Sequence, residues 1–318
     1  MSRGRRVRIS ISNLLSTPAR CVWLPMIYKT LGATTVVVPE IGLGTFKYEG
    51  GVEALCAGIE RGAYLIDTAE SYGTEEIVAR AIENCRSRVF LATKVSPANF
   101  RRQALLAAAE RSLYRLRTDY IDLYQLHRPN YAVPIHETMA AMEELIEQGK
   151  IRFIGVSNFS VAELKKAQCA LSKNKIASNQ VRYSLVERSI EPELLQYCQK
   201  NQITVMAYSP LAQGMGNIRR RDPQCHLSRV AASRGKTEAQ VALNWCIAKQ
   251  GVIAIPKAAS RDHIVENCAA SDWRLSQEEI VALDKAILFR RRGRLEAESR
   301  RFARAVLQKI GYRPAFHP

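Results

Sequence analysis

The sequence predicts an α/β protein, a (β/α)8 TIM barrel with an N-terminal β-hairpin and long βα loops at its C-terminal face. Three observations carry this prediction. Eight apolar runs of strand length recur along the 318 residues. They are apolar on both faces, as expected for strands of a parallel sheet that is covered on both sides. Helix-like segments separate them, and eight alternating strands and helices are typical of a barrel.

The individual elements follow from local patterns. The predicted strands are the runs 41–46, 64–69, 90–95, 121–127, 151–158, 177–184, 203–210 and 252–258. Ser160 with Glu163, and Ser276 with Glu279, have the spacing of a capping box and predict two helix starts. Gly149 is suited to end the helix before the run at 151, where a left-handed residue is needed. A short strand after Met26 should lead into a hairpin at the barrel floor.

A doubly wound sheet is the rival fold, and one position argues against it. Such a sheet should show G-x-G-x-x-G after its first strand, but Lys47 stands where the third glycine belongs. The interval between the last two strands is unusually long because of the segment 211–225, which is rich in glycine and arginine. A long loop on this face of a barrel is usually functional.

Charge divides the chain into three regions. Most of the net charge of +17 lies at the ends, because residues 1–25 hold five arginines and no acid, and residues 289–318 hold eight arginines. We predict a basic extension over 1–25, disordered or not native, a barrel over 26–288 and a basic tail over 289–318. The extension is either a transit segment or translated upstream sequence, and the second is favoured. A chain started at Met26 is expected to fold and function normally.

Composition excludes several classes of protein. We find no run of about 18 apolar residues, which excludes a membrane-spanning helix. The eight cysteines form no C-x-x-C pair, and reduced, buried thiols in the cytoplasm are the simplest interpretation. We see no nucleic-acid-binding motif, and charged tails are usually only solvated.

Polar residues end most of the predicted strands. In a barrel the βα loops gather at the C-terminal ends of the strands, so these side chains should form one site. They are Asp67, Lys94, His127, Ser157, Asn158, Gln180, Tyr208, Ser209 and Lys257, and Tyr72 follows Asp67 in a loop that can fold over the same opening. Each alone has a structural interpretation, such as a helix cap or a core histidine. Their convergence on one rim favours a functional site.

The chemistry of this group fits proton donation to a developing alkoxide. A phenol is a weak acid, but an adjacent ammonium stabilises the phenolate, so Lys94 should lower the pKa of Tyr72. Asp67 can hold Lys94, and His127 can orient a carbonyl oxygen. We find no nucleophile for acyl transfer and no metal-binding spacing. Reduction then requires a hydride donor: Tyr208 could stack on a nicotinamide ring.

At this point the sequence resembles the aldo-keto reductase superfamily, from about Tyr28 to Leu283. The matching segments are IGLGTF, LIDTAESYGTEE, FLATKV, LYQLHRP, GKIRFIGVSNFS, NQVRYS, AYSPL, QVALNW and IPKAASRDHIVEN. The resemblance implies an NAD(P)H-dependent carbonyl reductase, closest to microbial aldehyde and diketo-sugar-acid reductases. It implies a catalytic tetrad of Asp67, Tyr72, Lys94 and His127. The implied cofactor contacts are Gly44, Thr45, Asp67, Ser157, Asn158, Gln180, Tyr208, Ser209, Pro210, Leu211, Lys257, Glu266 and Asn267.

Two residues depart from the family pattern near the expected substrate entrance. Arg128 follows the histidine of the tetrad where many relatives have an aromatic ring, and Phe46 stands where many have tryptophan. Arg128 either favours an acidic substrate or is simply a solvated arginine. We assign both residues to the substrate pocket, so the substrates of relatives do not transfer to this chain.

The cofactor preference follows from the end of the eighth strand. Ser260 is a plausible N-cap, and the free amides of the following helix, with Lys257 and Arg261 nearby, make an anion site. This site suits a 2′-phosphate, so NADP(H) should be preferred, with NAD(H) as a weaker second cofactor. His263 stands where strongly selective relatives carry arginine. The discrimination should therefore be mild and should sharpen as the pH falls toward about 6.

Two other functions stay open. The chain could be a cofactor-binding auxiliary subunit with vestigial turnover, although the intact tetrad argues against this. It could instead bind nucleic acid through its arginine-rich ends, although no nucleic-acid partner is expected. We expect a small carbonyl substrate, no membrane partner, no metal, and a monomer or weak homo-oligomer.

Overall fold

The computed structural model describes residues 26–289 and four single residues beyond them, Ser299, Ala303, Val306 and Leu307. The strands are β1 (Tyr28–Thr30), β2 (Val37–Pro39), β3 (Leu43–Gly44), β4 (Leu65–Asp67), β5 (Phe90–Val95), β6 (Ile121–Leu126), β7 (Ile151–Ser157), β8 (Ile176–Arg182), β9 (Thr204–Tyr208) and β10 (Val252–Ala254). The extension 1–25 and most of the tail 289–318 lie outside the described residues. The predictions made for them, including nucleic-acid binding, therefore stay predictions.

Helices follow the strands in sequence. They are α1 (Val52–Glu60), α2 (Glu75–Ile82), α3 (Arg102–Leu116), α4 (Ile135–Glu147), α5 (Val161–Cys169), α6 (Gln196–Lys200), α7 (Met215–Arg219), α8 (His226–Arg234), α9 (Glu238–Ile247), α10 (Arg261–Cys268) and α11 (Gln277–Ala286). A 3₁₀ turn at Glu70–Tyr72 and a π-helical turn at Glu191–Leu195 interrupt this pattern. The long segment 211–225 contains α7.

The eight strands β3 to β10 form one parallel sheet in chain order, with β3 and β10 at its ends. These ends meet, because the Gly42 amide donates to the Ala254 carbonyl at 2.8 Å and the Ala254 amide donates to the Glu40 carbonyl at 2.8 Å. The sheet therefore closes into a barrel. Each predicted apolar run overlaps one of these strands, and only β8 begins outside its run, by one residue, which confirms the predicted fold class.

The N-terminal hairpin covers the amino-terminal end of the barrel. Strands β1 and β2 pair antiparallel, as predicted. Leu31 and Val38, at the tip and on the second strand, are fully buried against residues of the barrel interior such as Leu65, Leu123 and Met206. The interior core is thus made of hairpin and strand side chains. A second, larger apolar layer lies between the strands and the outer helices.

The predicted helix boundaries are confirmed by their caps. Ser160 and Glu163 form a reciprocal capping box at the start of α5, and Ser276 and Glu279 form another at α11. Gly149 has a left-handed backbone with φ of 72°, directly after the C-cap of α4. The capping boxes fix where α5 and α11 begin, and Gly149 ends α4 just before β7 begins.

The cysteines are free among the described residues, but they are not all buried. Cys198, Cys246 and Cys268 are buried, and burial raises the pKa of each of these thiols to about 12. Cys169 and Cys225 are exposed, so the prediction that the thiols are uniformly buried is wrong for these two. They lie at a helix end and before a helix start, where the core does not reach. No helix in the described part is both long and apolar enough to cross a membrane.

Candidate active site

A cavity of about 1070 Å³ opens at the C-terminal end of the barrel. Most of the predicted site residues line it: Gly44, Thr45, Phe46, Asp67, Tyr72, His127, Arg128, Ser157, Asn158, Gln180, Tyr208, Ser209, Pro210, Leu211, Lys257, His263, Glu266 and Asn267. Three predicted site residues lie outside this lining, namely Lys94, Ser260 and Arg261. Strand ends and the loops that follow them therefore converge as expected for a barrel.

Asp67 and Lys94 form a buried ion pair at the ends of neighbouring strands. Because β4 and β5 are adjacent and parallel, the two side chains meet, and Lys94 Nζ donates to Asp67 Oδ2 at 2.5 Å. Lys94 has no exposed surface and Asp67 is 2% exposed. Gln125 and Gln180 donate to Asp67 Oδ1 at 3.1 Å and 2.7 Å. The carboxylate is thus fully satisfied, and it fixes the lysine.

Tyr72 is placed over this pair by the loop after β4. It ends the 3₁₀ turn, and Gly73 follows in the left-handed region with φ of 69°. Glu70 on the same turn accepts hydrogen bonds from the Ser96 amide and the Asn99 side chain, which ties the turn to the end of β5. Lys94 Nζ lies 4.8 Å from the centre of the Tyr72 ring.

The electrostatics of the tyrosine are a balance of opposing effects. Burial raises the pKa of Tyr72, and the Lys94 ammonium opposes it. The predicted direction of the lysine effect is present, but burial outweighs it, so the net pKa lies above 10.0. Burial alone would lower the pKa of Lys94, but Asp67 and Tyr72 outweigh burial and the net pKa is raised. The phenol is therefore protonated and the lysine charged at neutral pH.

His127 stands beside the phenol. Its Nε2 atom lies 3.3 Å from the Tyr72 hydroxyl oxygen, and its Nδ1 atom lies 3.5 Å from Ser71 Oγ. Burial, together with the charges of Lys94 and Arg128, lowers the pKa of His127 to about 2. The imidazole is therefore neutral in this site, and it can hold a polar oxygen without adding charge.

A chain of amide and hydroxyl groups joins β7, β8 and β9 on the opposite wall. Ser157 Oγ donates to the Gln180 carbonyl at 2.9 Å, and Asn158 Nδ2 donates to Ser157 Oγ at 2.9 Å. Tyr208 donates through its hydroxyl to Asn158 Oδ1 at 3.0 Å. Asn158 has a positive φ of 63°, which asparagine tolerates better than most residues. This network fixes the Tyr208 ring on the cavity wall.

The far side of the cavity is formed by the end of β10 and the start of α10. Ser260 caps α10 as predicted, because its Oγ accepts from the His263 amide at 3.3 Å. Lys257 and His263 line the cavity. The His263 imidazole lies 3.1 Å from a Glu266 carboxylate oxygen, which draws it toward its own helix. Arg261 is exposed and outside the cavity lining.

The cavity wall near Tyr72 is aromatic and cationic. Phe46 packs edge-on against Tyr72, with ring centres 5.0 Å apart. Arg128 follows His127 into the cavity wall, and Lys47 lies with its Nζ 5.6 Å from the centre of the Phe46 ring. The rim beside the tetrad is thus one aromatic wall flanked by two cations.

Sequence reasoning missed part of the lining. The missed residues are Lys47, Gln213, Gly214, Met215, Arg219, Thr237, Glu238, Ala239, Ile255, Pro256, Ala258 and Ala259. Several belong to the segment 211–225, whose unusual length was the available signal. Arg219 on α7 pairs with Glu238 on α9 at 2.7 Å, which holds this segment beside the cavity. Such a pairing of distant residues leaves no pattern in the sequence.

A (β/α)8 barrel with a tyrosine, a lysine, a histidine and an aspartate at its rim defines a class, that of barrel oxidoreductases. Residues 40–288 match the model of the aldo/keto reductase family. Methylglyoxal reductase YeaE of Escherichia coli (strain K12) is 45% identical over 262 residues, covering 79% of this chain and 92% of that protein. Glyoxal reductase of Bacillus subtilis (strain 168) is 38% identical over 255 residues, covering 78% and 89%.

Solved structures agree with this assignment. A thermostable aldo-keto reductase, Tm1743, solved with the inhibitor epalrestat, has a TM-score of 0.78 and 41% identity, covering 82% of this chain and all of that one. An aldo/keto reductase from Klebsiella pneumoniae, solved with NADP and acetate, has a TM-score of 0.75 and 44% identity, covering 81% and 94%. The chain therefore belongs to the aldo/keto reductase family, whose general chemistry is carbonyl reduction.

Proposed function

We propose that this protein is an NADPH-dependent reductase of aldehydes or ketones, in which Tyr72 donates the proton. The observation that carries the proposal is the position of the phenol. Its hydroxyl lies 3.3 Å from His127 Nε2 at the cavity wall, and a buried lysine lies behind its ring. The phenol combines contact with the cavity, a protonated state and a neighbouring ammonium.

The cavity fits a nicotinamide dinucleotide. Its volume of about 1070 Å³ is at the upper end for ligand sites, which leaves room for a small substrate as well. The Tyr208 ring offers a stacking surface, and Ser157, Asn158 and Gln180 offer polar groups for a carboxamide. Lys257, at the far side, suits a phosphate. A neighbouring family member was solved with NADP, which supports the same cofactor here.

When bound, the cofactor supplies a hydride to the carbonyl carbon. The protein supplies the rest: His127 holds the carbonyl oxygen within reach of Tyr72, and the phenol transfers its proton to that oxygen as negative charge develops. The Lys94 ammonium then stabilises the phenolate that remains, and solvent at the cavity mouth returns the proton. Asp67 keeps Lys94 charged and in place throughout.

The substrate is proposed to be a small aldehyde or ketone. Methylglyoxal and glyoxal are the first compounds to assay, because two similar proteins are named for reducing them. Arg128 and Lys47 beside the rim add an expectation that a carboxylate on the substrate is tolerated. The paired aldehydes 4-carboxybenzaldehyde and 4-nitrobenzaldehyde have similar size and test this directly.

Replacing Tyr72 by phenylalanine tests the assignment of the proton donor. The Tyr72→Phe variant should lose at least about a hundredfold in the rate of carbonyl reduction, because general acid catalysis typically contributes that much. The ring and its contact with Phe46 remain, so the dissociation constant of NADPH, followed by fluorescence, should stay close to that of the unmodified chain. Turnover should be measured in a single-turnover assay, where chemistry limits the rate. Retention of a tenth or more of the rate would show that another group donates the proton.

Replacing Lys257 by methionine tests the cofactor preference. We expect the unmodified chain to use NADPH more efficiently than NADH, and Lys257→Met to reduce that ratio about tenfold, because a phosphate loses a charged partner. The ratio of kcat/KM values for the two cofactors is the readout. Lys200→Met is the matched control, since Lys200 is an exposed lysine that does not line the cavity. An unchanged ratio in Lys257→Met would place phosphate recognition elsewhere.

A further inference from the structure

A second cavity, of about 290 Å³, lies beside the first on the other side of the loop after β9. Three segments form it: the end of β8 with the following turn, the loop after β9, and the end of α7. Ser209 and Gln213 line both cavities, while the proposed cofactor contacts at the far side, such as Lys257, line only the first. The second cavity is therefore a separate site with a shared wall.

The walls of this second cavity carry excess positive charge. Arg182, Arg220 and Arg221 line it, with Glu187 as the acidic residue. We call this cavity, with its three arginines, the arginine cleft. Within the described part of the chain, the Arg182 and Arg221 side chains form no ion pair and no hydrogen bond. Arg182 only packs over the Tyr208 ring, with its guanidinium carbon 5.7 Å from the ring centre.

The other two charged side chains of the cleft, Arg220 and Glu187, each form a hydrogen bond with a neighbouring residue. Arg220 donates to Asn217 Oδ1, and Glu187 accepts from Ser189 Oγ at 2.6 Å. Two guanidinium groups thus line a small concave space without an ion pair in the described part of the chain, and the three arginines of the lining outnumber the carboxylate of Glu187. Guanidinium presents several donors in a planar fork, a geometry that matches oxyanions.

A buried hydroxyl in the same cleft also lacks a partner. Ser184 lines the cleft and is 1% exposed, and its Oγ has no hydrogen-bond partner within residues 26–289. Leaving a buried hydroxyl unpaired is unfavourable, and such groups normally find a protein, water or ligand partner. A ligand oxygen in the cleft beside the two arginines would give this hydroxyl a partner once the Ser184 side chain turns toward it.

We propose that the arginine cleft binds a tetrahedral oxyanion, either inorganic phosphate or the phosphate group of a small metabolite. Arg182 and Arg221 supply the charge, and Ser184 supplies a neutral hydrogen bond. The volume of about 290 Å³ accepts a phosphate with a short organic chain but not a dinucleotide. The proposal is independent of the reductase chemistry, since none of these three residues lines the first cavity.

Calorimetric titration of the full chain with inorganic phosphate, at ionic strength held constant with chloride, tests this site. We expect one ion to bind per chain, and Arg182→Met/Arg221→Met to weaken binding at least about tenfold. Arg80→Met/Arg88→Met is the matched control, because it removes the same charge from exposed arginines elsewhere and should leave the affinity unchanged. Ser184→Ala, which removes only the hydroxyl, should weaken binding about threefold with no loss of thermal stability.

The N-terminus of α10 beside Lys257, proposed above to hold the cofactor phosphate, is the competing location. If Lys257→Met abolishes phosphate binding and Arg182→Met/Arg221→Met does not, the proposal is wrong. Equal weakening by both arginine pairs would also overturn it, because binding would then reflect net charge alone. Repeating the titration with glycerol 3-phosphate identifies the source of the ion. Tighter binding than inorganic phosphate indicates a phosphorylated metabolite, and equal binding indicates the free ion.

Discussion

Each end of the barrel buries a carboxylate among cations, yet the two ends have different surroundings. At the C-terminal rim, Asp67 holds Lys94 at 2.5 Å. At the amino-terminal floor, Glu40 has no exposed surface, and Arg274 donates to both of its oxygens at 2.8 Å and 2.7 Å. Ser271 adds a hydrogen bond at 2.7 Å, and Lys29 lies 3.5 Å away.

The difference lies in what the cations face. Burial lowers the pKa of Lys29 at the floor, with Glu40 opposing, whereas Asp67 and Tyr72 raise the pKa of Lys94 at the rim. The floor cations end on carbonyl oxygens and on Glu40, outside the large cavity. Lys94 instead lies behind a phenol that opens into that cavity. A buried ion pair therefore indicates a functional site only where it also touches a titratable group with access to ligand.

The largest expected effect is at the rim. Lys94→Met should lower the free energy of unfolding by about 3–5 kcal/mol, because it leaves Asp67 buried without its counter-charge. It should also reduce carbonyl reduction at least about a hundredfold, because the phenolate loses its ammonium. Chemical denaturation and single-turnover rates measure the two effects.

A double variant separates these two effects. Asp67→Asn/Lys94→Met removes both charges, so most of the lost stability should return. Activity should not return, because Tyr72 still lacks its ammonium. Recovery of both properties together would mean that Lys94 acts on Tyr72 only through folding.

At the floor, the same kind of change should affect stability alone. Glu40→Gln should lower the free energy of unfolding by about 2 kcal/mol, less than at the rim, because the Arg274 and Lys29 side chains are partly exposed and water can compensate them. Turnover per folded molecule should be unchanged. If Glu40→Gln instead lowered turnover per folded molecule about as much as Lys94→Met does, the floor ion pair would also serve catalysis, contrary to the proposal.

The effect that is smallest at neutral pH, and that grows as the solution is acidified, is a pH dependence that comes from His127. Its pKa is 6.5 in the unfolded chain and about 2 in the fold, so below pH 6.5 the unfolded chain takes up a proton that the folded chain does not. This part of the stability is intact above pH 6.5 and is lost progressively as the pH falls toward 2, by at most about 1.4 kcal/mol per pH unit. His127→Gln should show a shallower loss of unfolding free energy between about pH 6 and pH 4. If the unfolding free energies of the unmodified chain and of His127→Gln fell in parallel with pH, the fold would not protect the imidazole from protonation.

Much of the fold was predictable because its signals are local. Ser160 with Glu163, and Gly149, specify helix ends within a few residues, and two-sided apolar runs specify buried parallel strands. The rim residues were predictable for the same reason, since a barrel places every strand end on one face. The position of Tyr72 followed from its distance in sequence from Asp67.

Other features depend on contacts between distant segments and could not be predicted. The pairing of Arg219 with Glu238, and the closeness of Arg182 to Tyr208, arise from packing of separate βα units. The net pKa of Tyr72 also depends on how deeply the loop buries it, which spacing does not reveal. His263 and Glu266 are three residues apart on one helix, so their contact could have been predicted from their spacing.

Within residues 26–289, the hairpin β1–β2 closes the amino-terminal end of the barrel. With Leu31 and Val38 packed into its amino-terminal end, the interior has no passage along its axis past these side chains. In the proposed mechanism, substrate, product and the proton that restores Tyr72 therefore all pass through the opening at the loop face. Because product release and reprotonation of Tyr72 use the same opening, a product that leaves slowly also delays the return of the proton.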